Sequence, residues 1–119
     1  MAGNLFFGLP AQTETAEQFE TLFSKPGLKI ERIVSTGQAS PPGFWYDQLD
    51  AEWVLLLQGS AGLRFADESA ARTLQPGDWL HIAPLQRHRV EWTDQNEVTV
   101  WLALHFDAGA PTDKGPSAT

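Results

Sequence analysis

Apolar residues in this chain come in short runs, and in several of them every second position is polar. Alternation of that kind marks a strand with one buried face, whereas a helix would repeat every three to four residues. "LKIERIV" (28–34) and "HRVEW" (88–92) alternate in this way. "EWVLLLQG" (52–59) and "VTVWLALHF" (98–106) are more continuously apolar, as in strands covered on both faces. "AGLRFA" and "ARTLQ" flank "DES", the pattern of a hairpin, and "QPGDW" is a turn leading into the strand "WLHIA". "TGQASPPGF" (36–44), with two prolines and two glycines, cannot lie inside a sheet and reads as loop. "TDQNE" turns the chain into its last strand. One stretch reads differently. In "QTETAEQFETLFSKPG" (12–27), Ala16, Phe19, Leu22 and Phe23 share a helical stripe, Thr15 and Gln18 suit a capping box, and Pro26-Gly27 ends it. A short N-terminal helix is expected there.

The pattern gives seven or eight short strands with frequent turns, which predicts an all-β sandwich or barrel of jelly-roll type with that one helix. The five tryptophans suit the space between two sheets, or a surface shared with a second copy. A length of 119 residues predicts one domain, over residues 1–106. "DAGAPTDKGPSAT", small, polar and rich in Pro and Gly, predicts a disordered tail over 107–119. The formal net charge of −7 argues against a nucleic-acid partner, which needs clustered Lys and Arg. The absence of cysteine excludes disulfides, thiolate metal ligands and a Cys nucleophile. No run approaches membrane-spanning length, and the N-terminus lacks the features of a signal peptide. The expectation is a cytoplasmic protein with no membrane partner.

Two segments carry a family resemblance. "EWVLLLQG" places Glu52 and Gly59 with six residues between them, and "GDWLHIAPLQRH" runs from Gly77-Asp78 to His88. With a hairpin of suitable length between them, these resemble the two motifs of the cupin superfamily, specifically its small single-domain bacterial members. The resemblance covers roughly Ile30 to Phe106. It implies a double-stranded β-helix, a β-barrel of jelly-roll form that is often a homodimer. Metal-binding cupins pair two histidines, a glutamate and a further histidine. Here the two histidine positions fall on Tyr46 and Gln48, and only Glu52 and His88 keep the ligand types. The opening Gly falls on Ser40. In the second motif the usual Pro, Gly and Asn fall on Ala83, Leu85 and Trp92.

The candidate site lies in "WYDQLDAEW". In a regular strand Tyr46, Gln48, Asp50 and Glu52 share a face, while a bulge at "QLD" would bring Asp47 beside Glu52. A carboxylate placed just before a buried run needs a cation, a metal or a proton. Glu52 is read as a metal ligand or general base, or as the partner of an arginine such as Arg64, Arg87 or Arg89. His88 shares a face with Val90 and Trp92, and is read as a ligand or acid–base group facing Glu52, or as a core histidine held by a backbone carbonyl. Tyr46, Gln48 and Trp45 would line a ligand. Asp78 is assigned to the turn. His81 and His105 are each read as a surface or packing residue, or as a second imidazole in the cavity.

Two functions follow. In the first, one divalent metal (Fe, Mn or Zn) sits in a mixed oxygen and nitrogen site of Glu52, His88 and Asp47, and the chain acts on a small polar molecule. In the second, a metal-free fold binds a small ligand as a sensor or binding module, with the aromatic rim Phe44, Trp45 and Tyr46 as its surface. A purely structural dimer is the third. Enzymatic activity stays open at this point.

Overall fold

A computed structural model describes residues 2–107 of the chain. The tail expected over 107–119 lies outside the described residues but for Asp107.

Eight strands make two antiparallel sheets. They are β1 (Gln18–Lys25), β2 (Leu28–Ser35), β3 (Ala51–Gln58), β4 (Ala61–Phe65), β5 (Arg72–Leu74), β6 (Trp79–Ile82), β7 (His88–Thr93) and β8 (Thr99–Phe106). The five-stranded sheet has the order β1-β2-β8-β3-β6, and the three-stranded sheet β5-β4-β7. No pairing between named strands joins the two sheets into one continuous barrel. The arrangement is the all-β double-stranded β-helix expected, without the helix.

The N-terminal helix is the expectation that fails. Residues 18–25 form β1, paired along its length with β2 through Gln18↔Val34 to Lys25↔Leu28. The helical stripe was ambiguous, because Phe19, Thr21 and Phe23 also alternate as a strand requires. All eight residues of β1 are exposed, so no apolar partner was available to fix a helical face. Backbone pairing to β2 decides the outcome. Pro26-Gly27, read as a helix stop, is instead the turn between β1 and β2, with Gly27 at φ +83°, a value that suits glycine.

The core sits between the sheets. Val54, Leu56, Ile82 and Trp101 come from one sheet, and Ala61, Leu63, Phe65 and Leu74 from the other. Of the five tryptophans, only Trp101 is buried there. Trp79 and Trp92 are exposed, and Trp53 stacks on Trp79 at 5.9 Å. Gly62 belongs to this packing too. The Trp92 indole lies where a Cβ on Gly62 would stand, so the close approach of β4 to β7 needs a residue without one. In the turn before β6, Asp78 accepts a hydrogen bond from the Gln75 N–H at 2.8 Å, the structural role expected of it.

Register positions the site. In the larger sheet, Lys29, His105, Glu52 and Ile82 lie in one row across β2, β8, β3 and β6. The adjacent inward row holds Glu31, Ala103, Val54 and Leu80. Ala103 presents only a methyl group between Glu31 and Val54, which leaves volume above it. The charged set of "LKIERIV" is therefore the set that turns inward, and Glu31 is 6% exposed.

Candidate active site

A cavity of about 380 Å³ opens between the sheets, lined by Lys29, His105, Glu52 and Ile82 of the first row, by Glu31 and Val54 of the second, and by residues of β4, β7 and the segment before β3. Its floor is apolar, with Ile33, Val54, Leu63, Ile82, Val90 and Trp101. Its polar wall gathers Glu17, Lys29, Glu31, Tyr46, Gln48, Glu52, His88 and His105.

Glu52 stands between two imidazoles. Its Oε1 is 3.6 Å from His88 Nε2, and its Oε2 is 4.0 Å from His105 Nε2. These are ion-pair distances, too long for hydrogen bonds. The Gln48 amide donates to Oε1 at 2.9 Å. Glu52 is 8% exposed, and burial alone would raise its pKa. The facing His88, the charge on His105 and the Gln48 amide outweigh that burial and hold the carboxyl below its ordinary value. The fold therefore favours the ionised form of Glu52.

His88 comes from the opposite sheet. Its Nδ1 lies 2.9 Å from the Gln86 carbonyl oxygen, which can only accept, so Nδ1 carries hydrogen and Nε2 is turned toward Glu52. Tyr46 forms an isolated antiparallel bridge with His88 and stacks on its ring at 5.4 Å. Burial, together with the negative charges of Glu17, Glu52 and Glu31, raises the Tyr46 pKa, so the phenol keeps its proton. A second pair lies alongside: His105 Nε2 is 2.8 Å from Glu31 Oε1, and Lys29 Nζ is 3.6 Å from Glu31 Oε2. On a further wall, Trp101 Nε1 donates to Ser35 Oγ at 3.1 Å, and Ser35 in turn donates to Glu17 Oε2 at 2.5 Å. Burial raises the Glu17 pKa, and the Ser35 bond only partly offsets it.

The structure thus brings together Glu52, His88, Tyr46 and Gln48, as the alternation of "WYDQLDAEW" allowed. The bend at Leu49–Asp50 interrupts the strand but leaves Asp47 exposed and outside the cavity lining. Trp45 is not part of the lining either. Three guanidinium groups, of Arg64, Arg87 and Arg89, lie 5.5, 5.7 and 5.8 Å from its ring centroid. Two site residues, Glu17 and Glu31, are not singled out by the sequence: Glu17 falls in the expected helix, and Glu31 is one charge in an alternating strand. His105 takes the cavity position, the alternative to a surface or packing role. The available signal was that Lys29, Glu31 and Ile33 share a face in "LKIERIV" while Trp101, Ala103 and His105 share one in "VTVWLALHF". His81 is exposed and stacks on Phe106, away from the cavity.

The divalent metal expected from Glu52, His88 and Asp47 finds a poor donor set. Among the described residues, no group of three or more His, Asp or Glu side chains converges as a metal shell requires. Glu52 and His88 supply two donors. The third candidate nitrogen, His105 Nε2, is engaged by Glu31. Among the described residues, no helix is long and apolar enough to cross a membrane.

No protein-family model matches the sequence, and no curated protein does. Solved structures do. A Ralstonia eutropha JMP134 protein, provisionally described as a mannose-6-phosphate isomerase, is 54% identical over 91% of this chain and 99% of its own, with a TM-score of 0.88. A cupin superfamily protein of Desulfitobacterium hafniense DCB-2 matches 83% of this chain and 84% of its own, at 17% identity and TM-score 0.67. An RmlC-like cupin of Methanocaldococcus jannaschii, with a double-stranded β-helix fold, matches 79% and 83% at 12% identity and TM-score 0.64. The last two establish the fold alone.

Proposed function

The chain belongs to the cupin superfamily, and from that premise we propose that it binds one small polar organic molecule between its sheets and moves protons on it without a metal. The observation that carries this reading is the Glu52 carboxylate, buried, ionised and set between two imidazoles in a cavity of small-molecule size. Two titratable groups in one cavity with pKa values pushed in opposite directions, Glu52 down and Tyr46 up, are a basis for assigning acid and base. Glu52 is the base. Tyr46 holds its proton to higher pH and is the donor at hand.

Chemistry of this kind suits a hydroxy-carbonyl compound. Glu52 takes the proton from the carbon beside the carbonyl. The electron pair of that C–H bond forms the C=C bond of an enediol, and a donor protonates the carbonyl oxygen. The hydroxyl on the carbon that lost its proton then gives up its own proton to a base and becomes the new C=O, while the C=C electron pair takes a proton on the neighbouring carbon, which gives the isomeric aldose or ketose. The name given to the Ralstonia protein belongs to a reaction of this class, and that supports the assignment. The two-donor metal set supports the metal-free form of it.

The test is hydrogen exchange. D-Mannose or D-fructose is incubated in D₂O with protein dialysed against a chelator, and loss of the proton next to the carbonyl is followed by NMR. Wild type is expected to exchange it, and Glu52→Gln to lose about 10²–10⁴-fold in rate. Exchange that vanishes with the chelator and returns with a divalent ion would sink the metal-free form. Unchanged exchange in Glu52→Gln would remove Glu52 from the chemistry.

A further inference from the structure

Building on the reading of the cavity as a proton-transfer site, we infer that its ligand is an uncharged polyhydroxy compound and that a phosphate ester is rejected. The charged groups on the lining decide this. Three carboxylates, Glu17, Glu31 and Glu52, face the cavity. Against them stands one ammonium, Lys29, which already lies 3.6 Å from Glu31. The two imidazoles add no free cation, because each faces a carboxylate: His88 faces Glu52 and His105 faces Glu31.

Apart from Lys29, paired with Glu31, the groups that would hold a phosphate are elsewhere. Proteins bind phosphate with lysine, with arginine forks and with the N-termini of helices. None of the five arginines among the described residues lines the cavity. Arg32 donates to the Leu5 and Phe7 carbonyls and pairs with Glu20. Arg72 pairs with Glu68, and Arg64, Arg87 and Arg89 surround Trp45. There is no helix among the described residues to offer an N-terminus. A dianion in the cavity would therefore meet buried carboxylates without compensation.

A neutral polyol meets a matched surface. The carboxylates of Glu31 and Glu52 accept from hydroxyl groups, and the Gln48 amide and Tyr46 phenol donate. Trp101, Ile33 and Val54 form an apolar floor suited to the C–H face of such a molecule. The difference in charge from the phosphorylated sugar in the name given to the Ralstonia protein is one methylene-borne group. The lining discriminates at that group.

The three histidines of the chain make the test internal. Long-range ¹H–¹⁵N spectra of the imidazoles report His88 and His105 in the cavity and His81 outside it. Probes are D-mannose, D-fructose, D-mannose 6-phosphate and inorganic phosphate, at matched ionic strength on the full chain. The neutral sugars are expected to shift His88 and His105 saturably and to leave His81 alone. D-Mannose 6-phosphate is expected to bind at least about tenfold more weakly. Glu31→Gln, checked for a wild-type spectrum elsewhere, is expected to narrow that gap. Phosphate ester binding as tight as the neutral sugar, or tighter, overturns the inference while leaving a ligand cavity in place. A lack of response to every probe overturns the polyol assignment itself. The exchange experiment judges the proton-transfer reading separately.

Discussion

Glu17 and Glu52 line the same cavity, and the same substitution at each is expected to act with opposite sign. The Glu52 carboxyl is held below its ordinary 4.5, so the fold stabilises its charge. Replacing it by glutamine removes a charged acceptor from the Gln48 amide at 2.9 Å and the anion that faces two imidazoles. Loss of one charge-assisted bond at a buried site costs about 2 kcal/mol. With a urea m-value of about 2 kcal/mol/M, the midpoint falls by about 1 M at pH 7.5. Glu17 is raised above 4.5 by burial, so the fold disfavours its charge. Glu17→Gln keeps an acceptor for the Ser35 hydroxyl and removes the disfavoured charge, so its midpoint rises at pH 7.5. The pH dependence follows from linkage. The stability contributed by Glu52 is present above 4.5 and is lost as pH falls through its lowered value, so the Glu52→Gln deficit closes in acid. For Glu17, stability is full below 4.5 and is lost as pH rises through its raised value, so the Glu17→Gln gain disappears near pH 4. Urea unfolding followed by tryptophan fluorescence reads both, since Trp101 is buried in the core. Midpoints that move in the same direction at pH 7.5 would refute the electrostatic account of the cavity.

Three further outcomes are expected. Leu85 sits at φ +63° and is 57% exposed, at the position where the cupin motif usually has glycine. Leu85→Gly relieves the left-handed strain and is expected to stabilise the chain by about 1 kcal/mol in a denaturant titration, while Leu85→Val destabilises it. Gly62→Val drives a side chain into the Trp92 indole and is expected to cost about 2 kcal/mol, read as a lower melting temperature and an altered Trp emission. Elemental analysis of untagged protein is expected to find no near-stoichiometric divalent metal. A stoichiometric ion that is lost in His88→Ala would return the site to a metal-binding one.

Much of the fold could be read from the sequence, because turn chemistry and period-two alternation are local. "QPGDW", "DES" and "TDQNE" separate strands that form where the alternation puts them. The residues of β1 were the exception. Phe19, Leu22 and Phe23 satisfy a helical stripe about as well as Phe19, Thr21 and Phe23 satisfy strand alternation, and the deciding term is a row of backbone hydrogen bonds to β2 that no local pattern encodes. That error had a functional cost, since it hid Glu17, which precedes β1 and reaches the cavity.

The site was legible only in part, for a different reason. Alternation divides a strand into two faces but does not say which face is inside. The usual assumption places charges outside, and for "LKIERIV" it points the wrong way: Lys29 and Glu31 face the cavity with Ile33. A cavity is the place where that assumption fails, since a polar wall there is satisfied by side chains from other strands rather than by water. Glu31 is satisfied by His105 from β8, and Glu52 by Gln48 and by His88 from the opposite sheet. The Gln48 bond is local, but both imidazole pairings are long-range. Glu52 and His88 could be singled out because the cupin register named them. Glu31 could not, and His105 only as one of two alternatives, because their roles depend on Lys29, His105 and Glu52 falling in one row, and that row exists only once β2, β8 and β3 have paired.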